Sequence, residues 1–172
     1  MPDITISSAK IPRLGQVMAA VNDRGLCGLA LPDWNDHELQ LGAWKKAGFI
    51  AKPGMHALLT HTFAELKQYA AGTLTRFTVA IDLAPLPVFT RQVLTTLMKI
   101  GHGKLLSYGE LAARAGSPRA ARAVGGAVGR NPIPVIIPCH RVVAANGIGG
   151  FGLGLECKRA LLAIEGVKDF SA

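Results

Sequence analysis

Apolar runs separated by turn residues dominate the first part of the chain. Residues 16–21 form one such run, a polar turn ending in Gly25 follows, and residues 26–31 form a second run. Two short apolar runs joined by a polar, glycine-containing turn predict a β-hairpin with buried positions. Residues 32–54 mix tryptophan and proline with polar residues, and the pattern assigns them no element.

The next segment predicts a helix, a strand and a break. Apolar residues recur at helical spacing over residues 56–71, and Gly72 follows, so we expect an α-helix that ends at this glycine. Residues 77–83 alternate in a way that predicts a further strand. Two prolines then interrupt the chain and indicate a linker at about residues 84–88.

Beyond the linker the pattern becomes helical. Ser107 and Glu110 have the spacing of a capping box, which is expected to open a helix over residues 108–115. Ser117-Pro118 is predicted to open a second helix that reaches about Gly129, with the proline in its first turn. Two short helices joined by a glycine-containing turn indicate a helix-turn-helix.

Two more segments, residues 89–100 and 156–165, have the apolar spacing of amphipathic helices. We therefore expect an α/β (α+β) fold. Residues 1–84 would form a small N-terminal lobe with a sheet and a helix. Residues 89–172 would form a mainly helical C-terminal lobe that contains the helix-turn-helix.

Composition narrows the class of protein. The 172 residues are 49% hydrophobic, which is enough for a core, but the longest apolar candidate, residues 132–139, is far too short to span a bilayer. The first residues lack a basic segment followed by an apolar stretch, so no signal peptide is visible. We expect a soluble, intracellular protein of the cytoplasm that does not bind membranes.

The cysteines and histidines indicate neither a disulfide scaffold nor a metal site. The chain has three cysteines, an odd number, and no CxxC pair. Its five histidines show no metal-ligand spacing with them, and His56 and His61 are more typical of solvated helix residues. We expect no metal and no cofactor. Cys27 and Cys157 are interpreted as structural because neither adjoins a base.

Positive charge is concentrated in one stretch. The net charge is +8, and residues 99–141 contain seven lysines and arginines against one acidic residue, Glu110. Such a stretch would suit a polyanion such as nucleic acid. A solubilising surface is the alternative, and charge alone does not separate the two.

Small residues crowd the second helix of the helix-turn-helix. They are Ala120, Ala121, Ala123, Gly125, Gly126 and Ala127. Each glycine within a helix costs roughly 1 kcal/mol relative to alanine, so the pair needs a reason. One reason is close packing against protein. The other is entry into the DNA minor groove, which is only about 6 Å wide, with Arg122 as the one long side chain on a smooth face.

The segment over residues 131–143 has the pattern most typical of a reactive site. Its three prolines exclude a helix and predict short extended pieces that bury Cys139. A buried cysteine is normally inert, so reactivity requires a base. His140 is adjacent, but neighbours on an extended chain point to opposite sides, so a bridging water could relay the proton. Glu165 is the best candidate for a carboxylate that holds the imidazole. The alternative is a structural cysteine beside a solvated histidine.

Taken together, these motifs resemble the O6-alkylguanine-DNA alkyltransferase family. Order and spacing agree over about residues 89–167, and more loosely over residues 23–26 and 69–72. The Pro-Cys-His-Arg-Val sequence that begins at Pro138 is highly specific to this family. The matching segments are residues 107–112, 121–126, 131–132, 137–142 and 161–166.

The resemblance implies DNA repair by a methylated-DNA–protein-cysteine methyltransferase. Its partner would be double-stranded DNA containing O6-alkylguanine. Cys139 would accept the alkyl group irreversibly, so that each molecule acts once, with His140 activating it through water and Glu165 orienting His140. The protein is expected to be a monomer in solution, and cooperative binding along DNA is left open.

The resemblance also implies roles for the residues around this centre. Tyr108 would help to rotate the target nucleotide out of the duplex from the minor-groove side and would donate a proton to the leaving guanine, while Arg122 would fill the gap in the base stack. Asn131 would brace the turn before the cysteine, and Lys158 matches a family lysine near the site. The remaining residues would line the minor-groove face or the substrate pocket: Ala121, Ala123 and Gly125 for the first, and Val142, Phe151, Gly152 and Leu153 for the second.

Some residues depart from the family pattern. Phe151 stands where many relatives carry tyrosine, and Leu153 stands where glycine is usual, on the loop that should wall the pocket. A larger side chain at residue 153 would narrow access for bulky adducts.

Three other functions are weighed against this one. They are a non-catalytic sensor of alkylated bases, a helix-turn-helix regulator and a Cys–His hydrolase. Relatives that act as sensors lack the acceptor cysteine, and a regulator would need polar base-reading side chains on the second helix.

Overall fold

The computed structural model describes residues 3–31, 33–34, 42, 45–46 and 48–170. The chain divides into two compact units, Met1–Leu83 and Ala84–Ala172. The sequence pattern assigned no element to residues 32–54, and most of the positions in this segment before Gly48 lie outside the described residues. The mixture of sheet and helices confirms the predicted α+β class.

The first unit is built on a four-stranded sheet. Its strands are β1 (Asp3–Ile11), β2 (Gly15–Val21), β3 (Leu26–Ala30) and β4 (Ile50–Pro53). The order across the sheet is β3-β2-β1-β4; β2 is antiparallel to both β1 and β3, and β4 is parallel to β1. The hairpin predicted over residues 16–31 is confirmed as β2 and β3.

Asn22 and Gly25 fix the turn of this hairpin. The side-chain oxygen of Asn22 accepts hydrogen bonds from the backbone N–H groups of Arg24 and Gly25, at 2.9 and 3.0 Å, a local bond typical of asparagine in turns. A Cβ added to Gly25 would lie 2.8 Å from the carbonyl oxygen of Ala80. Glycine is therefore required because the neighbouring backbone approaches too closely for a side chain.

The neighbouring segment, residues 77–83, is not the strand that the sequence predicted. Within the described residues it contributes an isolated parallel bridge, Leu26 to Ile81. The N–H groups of Thr78 and Val79 donate instead to the side chain of Glu65. The prediction was wrong because a buried carboxylate, and not a second strand, accepts these backbone hydrogen bonds.

One helix, α1 (Ala57–Ala70), packs against β1 and β2. It buries Leu59, Leu66 and Tyr69 on the side that faces the sheet. Gly72 follows it with φ +75°, a left-handed conformation that ends many helices. The helix predicted over residues 56–71 is confirmed.

The second unit is mainly helical. Its helices are α2 (Val88–Leu97), α3 (Tyr108–Arg114), α4 (Ala121–Gly129) and α5 (Leu155–Ile164). Strand β5 (Leu106–Ser107) precedes α3, and strand β6 (Val142–Val143) follows the cysteine segment. The two short strands pair in parallel. The four helices predicted beyond the linker are confirmed. Among the described residues, no helix is long and apolar enough to cross a membrane.

The start of α3 agrees with its sequence pattern. Ser107 and Glu110 form the predicted capping box, in which each side chain bonds to the backbone of the other residue. Gly116 then adopts φ +77°, and the N–H of Ser117 donates to the carbonyl of Ala112 at 2.9 Å. This is a Schellman motif, which ends α3 and turns the chain toward α4.

The start of α4 differs from the prediction. The N–H of Ala120 donates to the carbonyl of Ser117 at 2.9 Å, which closes a separate turn that contains Pro118. Helix α4 begins only at Ala121. The Ser-Pro signal therefore marks a turn before the helix and not the first turn of the helix itself.

Candidate active site

Cys139 lies on a single turn of 3₁₀-helix, Cys139–Arg141, and is buried. The N–H of Arg141 donates to the carbonyl of Pro138 at 3.0 Å, and the N–H of Val142 donates to the carbonyl of Cys139. The extended conformation expected for Cys139 and His140 is wrong. Proline is compatible with this turn because, at the N-cap, it needs no N–H of its own.

Asn131 braces the loop that leads to the cysteine. Its side-chain oxygen accepts from the N–H of Ile133 at 3.0 Å, and its amide nitrogen donates to the carbonyl of Ile137 at 2.8 Å. Within the loop, buried Val135 has φ +73°, a strained conformation for a β-branched residue. The asparagine thus ties both ends of a strained, proline-rich loop and fixes the position of Cys139.

The surroundings of Cys139 keep its thiol protonated. Burial raises the pKa of Cys139 to about 11, although a hydrogen bond from Asn131 and the positive charge of Lys158 act in the opposite direction. A thiol with this pKa is a poor nucleophile at neutral pH, because the thiolate is the reactive species. Reaction therefore requires a base that removes the proton.

His140 and Glu165 form a buried imidazole–carboxylate pair. His140 Nε2 lies 2.6 Å from Glu165 Oε1, and both side chains are fully buried. Burial lowers the pKa of His140, while the hydrogen bond and charge of Glu165 raise it. Because a carboxylate can only accept, Nε2 carries the proton that it shares with Glu165, and Nδ1 is the basic nitrogen of the neutral ring.

The end of α5 places Glu165 for this contact. Glu165 is the C-cap of the helix, and Gly166 follows with φ +75°. The N–H of Val167 donates to the carbonyl of Leu162 at 2.9 Å, as in a Schellman motif. The Leu-Leu-Ala-Ile-Glu-Gly sequence thus ends the helix at the point where its last side chain meets His140.

Arg141 is a buried member of the site to which the sequence reasoning gave no role. Its Nε and Nη2 lie 2.9 and 3.0 Å from the two oxygens of Glu165, and the N–H of Gly103 donates to Oε2 at 2.8 Å. Burial raises the pKa of Glu165, but the hydrogen bonds and charges of His140 and Arg141 hold it well below its usual range. The signal was present, since an arginine inside a buried apolar run needs a carboxylate partner.

Lys158 is fully buried and directs its ammonium group at backbone oxygens. Nζ donates to the carbonyls of Val142, Ile148 and Gly150 at 2.6, 2.5 and 3.1 Å. Burial lowers the pKa of Lys158 to about 8. Three donors meet three carbonyls, so this lysine holds the loop between β6 and α5 in place.

The predicted pocket residues lie on or beside this loop. Phe151 and Leu153 are half-buried and Gly152 is exposed. The Phe151 ring centroid is 6.0 Å from Lys158 Nζ, which is at the limit of a cation–π contact. The Val142 carbonyl already accepts from Lys158, so recognition of a base by this carbonyl would use its second lone pair.

The small residues of α4 divide between two sides of the helix. Val124, Ala127 and Val128 are buried, on a helix that packs against α2 and α3. Arg122, Ala123 and Gly126 are exposed. The helix therefore packs against protein on one side and leaves a smooth exposed surface on the other.

Gly125 faces the ring of Tyr108. A Cβ added to Gly125 would lie 3.7 Å from Tyr108 Cδ1, so the half-buried ring rests against the backbone of α4. Burial raises the pKa of Tyr108, and the nearby Cys139 adds to this effect. The tyrosine ring thus packs against the backbone of α4.

Eight of the predicted site residues fall into two groups. Cys139, His140 and Asn131 lie on the segment 131–142, Glu165 bonds to His140, and Lys158 donates to the carbonyl of Val142. The second group lies on α4 and consists of Ala121, Arg122 and Ala123.

Comparison with known proteins bears on both groups. A family model described as "6-O-methylguanine DNA methyltransferase, DNA binding domain" matches residues 88–167. The methylated-DNA–protein-cysteine methyltransferase of Mycobacterium tuberculosis is 49% identical over 102 residues, 59% of this chain and 61% of that protein. The one of Mycobacterium leprae is 42% identical over 121 residues, 70% of this chain and 71% of that protein.

Solved structures show the same fold over nearly the whole chain. The crystal structure of Mycobacterium tuberculosis OGT in complex with DNA has a TM-score of 0.75 and 34% identity, and covers 95% of this chain and 92% of that one. An O6-methylguanine-DNA methyltransferase from the archaeon Pyrococcus kodakaraensis has a TM-score of 0.67 at 26% identity.

Fold and site together define a protein in which a buried cysteine adjoins a buried histidine–glutamate pair, in a unit that also contains a helix-turn-helix. The chain belongs to the methylated-DNA–protein-cysteine methyltransferase family, which confirms the resemblance found in its sequence. The part of the chain that matches the Mycobacterium tuberculosis sequence spans less than two thirds of that relative.

Proposed function

We propose that this protein repairs DNA by transferring the alkyl group of O6-alkylguanine to Cys139. The observation that carries the proposal is the buried thiol next to the His140–Glu165 pair, on the motif that the family shares. The C-terminal lobe, residues 89–172, would carry both DNA binding and catalysis. The protein would act inside the cell as a monomer, without a metal or cofactor.

In the proposed reaction a sulfur–carbon bond forms as the bond between carbon and guanine O6 breaks. His140 Nδ1 takes the thiol proton, through a water molecule, and Glu165 stabilises the imidazolium that results. The electron pair of the broken bond moves into the guanine, which gains one proton, and Tyr108 would supply this proton. The thioether is stable, so each molecule acts once.

The lesion has to leave the base stack to reach a buried cysteine. Extrusion costs a few kcal/mol, and less for a mispaired or damaged base. We propose that α4 enters the minor groove with its small residues, among them exposed Ala123 and half-buried Ala121 and Gly125. Exposed Arg122 would fill the gap that the flipped nucleotide leaves. The basic stretch around α4 supports this placement, since phosphate contacts dominate affinity for DNA.

The remaining residues would shape the pocket. Asn131 would keep the cysteine loop in position, and Lys158 would act as a positioning residue by holding the loop that carries Phe151, Gly152 and Leu153. The Val142 backbone and the amide near Gly152 would recognise the guanine edge. Leu153 would narrow the pocket, so transfer should slow as the adduct becomes bulkier.

The test is to mix the protein with a duplex that carries one O6-methylguanine, digest it, and weigh the peptide that contains Cys139. We expect a gain of one methyl group on that peptide, reaching one per protein and then stopping. Cys139→Ala should remove the gain, and the matched variant Cys157→Ala should keep it. Binding to the lesion with an unmodified Cys139 would indicate a sensor, and turnover on a small ester would indicate a hydrolase; either result contradicts the proposal.

A further inference from the structure

Arg141 places a buried positive charge on the same turn as the proposed nucleophile and base. Its guanidinium is only 7% exposed and spans both oxygens of Glu165, at 2.9 and 3.0 Å. This two-point geometry gives the stronger form of an arginine–carboxylate pair. Glu165 therefore contacts the imidazole of His140 and a permanent cation at the same time.

We propose that Arg141 is a positioning residue for the alkyl transfer, because it shares Glu165 with His140. The carboxylate orients the imidazole, and the arginine balances the negative charge of the carboxylate. His140 therefore stays a neutral base. This inference rests on the proposed function, because the neutral ring matters only if His140 accepts the proton of Cys139.

The charges around His140 give the reason. A carboxylate 2.6 Å from the ring and without a counter-charge would favour the imidazolium, and an imidazolium has no lone pair with which to accept a proton. The charged and titratable groups that act on His140 are Glu165 of α5, which raises its pKa, and Arg141 and Lys158, which lower it in addition to the larger effect of burial. Cys139 is the adjacent residue on the turn.

Of these two cations, Arg141 is the one that contacts the carboxylate. The ammonium group of Lys158 is directed at three backbone carbonyls. The third arginine nitrogen, Nη1, donates to the carbonyl of Ile100, and Gly103 N–H donates to Glu165 Oε2. The chain that follows α2 thus holds the arginine and the carboxylate in one arrangement.

The experiment compares Arg141→Met, which removes the charge, with Arg141→Lys, which keeps it. Arg24→Met is the matched control, since Arg24 pairs with Asp82 at 2.9 Å in the first unit. Single-turnover methyl transfer from a duplex with one O6-methylguanine is measured between about pH 5.5 and 9, on protein shown to be folded by circular dichroism. If Arg141→Met does not fold, Arg141→Gln takes its place.

For Arg141→Met we expect the acid-side midpoint of the pH–rate profile to rise by roughly one unit. At pH values below this midpoint, methyl transfer should therefore be about tenfold slower than in the unaltered protein. Arg141→Lys should lower the plateau but keep the acid side of the profile, and Arg24→Met should superimpose on the unaltered protein. Identical profile shapes in all variants would reduce Arg141 to a structural role and overturn the inference.

A second readout does not depend on activity. The imidazole of His140 is titrated by NMR in the protein without DNA, with its signal assigned from His140→Gln. The midpoint should rise in Arg141→Met and not in Arg141→Lys, and an unchanged midpoint contradicts the inference. If the unaltered protein transfers no methyl group, the proposed function fails, but the titration still decides whether Arg141 sets the charge of His140.

Discussion

The two units each contain a buried glutamate, and the two carboxylates have different neighbours. Glu65 on α1 and Glu165 at the end of α5 are 5% and 7% exposed. Glu65 accepts from the N–H groups of Thr78 and Val79 and from the Thr78 hydroxyl, at 2.6 to 3.2 Å. Glu165 accepts mainly from ionisable side chains.

The neighbours decide what each glutamate does. Backbone N–H groups are far too weakly acidic to serve as proton donors in a reaction, so the hydrogen bonds of Glu65 hold the segment after α1 in place. Its histidine neighbour, His61, is half exposed and lies 3.5 Å away. Glu165 meets a fully buried histidine that adjoins a buried cysteine. Both glutamates are buried, but only at the second does a buried cysteine adjoin the neighbouring histidine.

The largest predicted effect separates the two histidines. His140→Ala should lower the single-turnover rate of methyl transfer about 100-fold or more, because it removes the general base. His61→Ala should leave the rate within about twofold. Quenched-flow measurement with a duplex that contains O6-methylguanine checks both. An equal loss of rate in the two variants would mean that removing a histidine acts through folding. It would contradict the claim that His140 acts in the reaction and His61 does not.

The next effect is on stability. Glu65→Ala should lower the free energy of unfolding by about 2–3 kcal/mol, because the N–H groups of Thr78 and Val79 lose a charged acceptor while partly or fully buried. Urea denaturation followed by circular dichroism measures the change. The fraction that remains folded should transfer methyl groups at the normal rate. Unchanged stability would show that Glu65 does not hold this segment.

Much of the fold could be predicted from local signals. The hairpin turn, the capping box of Ser107 and the glycines that end helices each act within a few residues, so the pattern contains what is needed. The strand expected over residues 77–83 could not be corrected from sequence, because the N–H groups of Thr78 and Val79 donate to Glu65, a side chain from an earlier helix.

The site shows the same limit. The motif with Cys139 and His140 could be found because its residues are consecutive, and Glu165 could be proposed from the last helix. The conformation of the turn, and the contact of Arg141 with that glutamate, depend on packing between segments distant in the chain. Sequence reasoning therefore found the proposed reacting groups and missed Arg141, the residue that contacts their carboxylate.

The smallest predicted effect compares two buried thiols. Burial raises the pKa of Cys157 from 9.0 to about 12, so its thiol stabilises the fold below about pH 9, and this contribution is lost as pH rises toward 12. Between pH 8 and 10 the unaltered protein should lose about 1.4 kcal/mol more stability than Cys157→Ala. Urea denaturation at both pH values checks this. Parallel losses would show that Cys157 ionises normally in the folded protein.

The most direct test of the account replaces each glutamate with glutamine. In Glu165→Gln the new amide can donate to His140 Nε2, which moves the ring proton to Nδ1 and leaves that nitrogen unable to accept from Cys139. The single-turnover rate of methyl transfer, per folded protein, should fall about 100-fold or more in Glu165→Gln and stay within about twofold in Glu65→Gln. A normal rate in Glu165→Gln would contradict the claim that Glu165 and His140 activate Cys139.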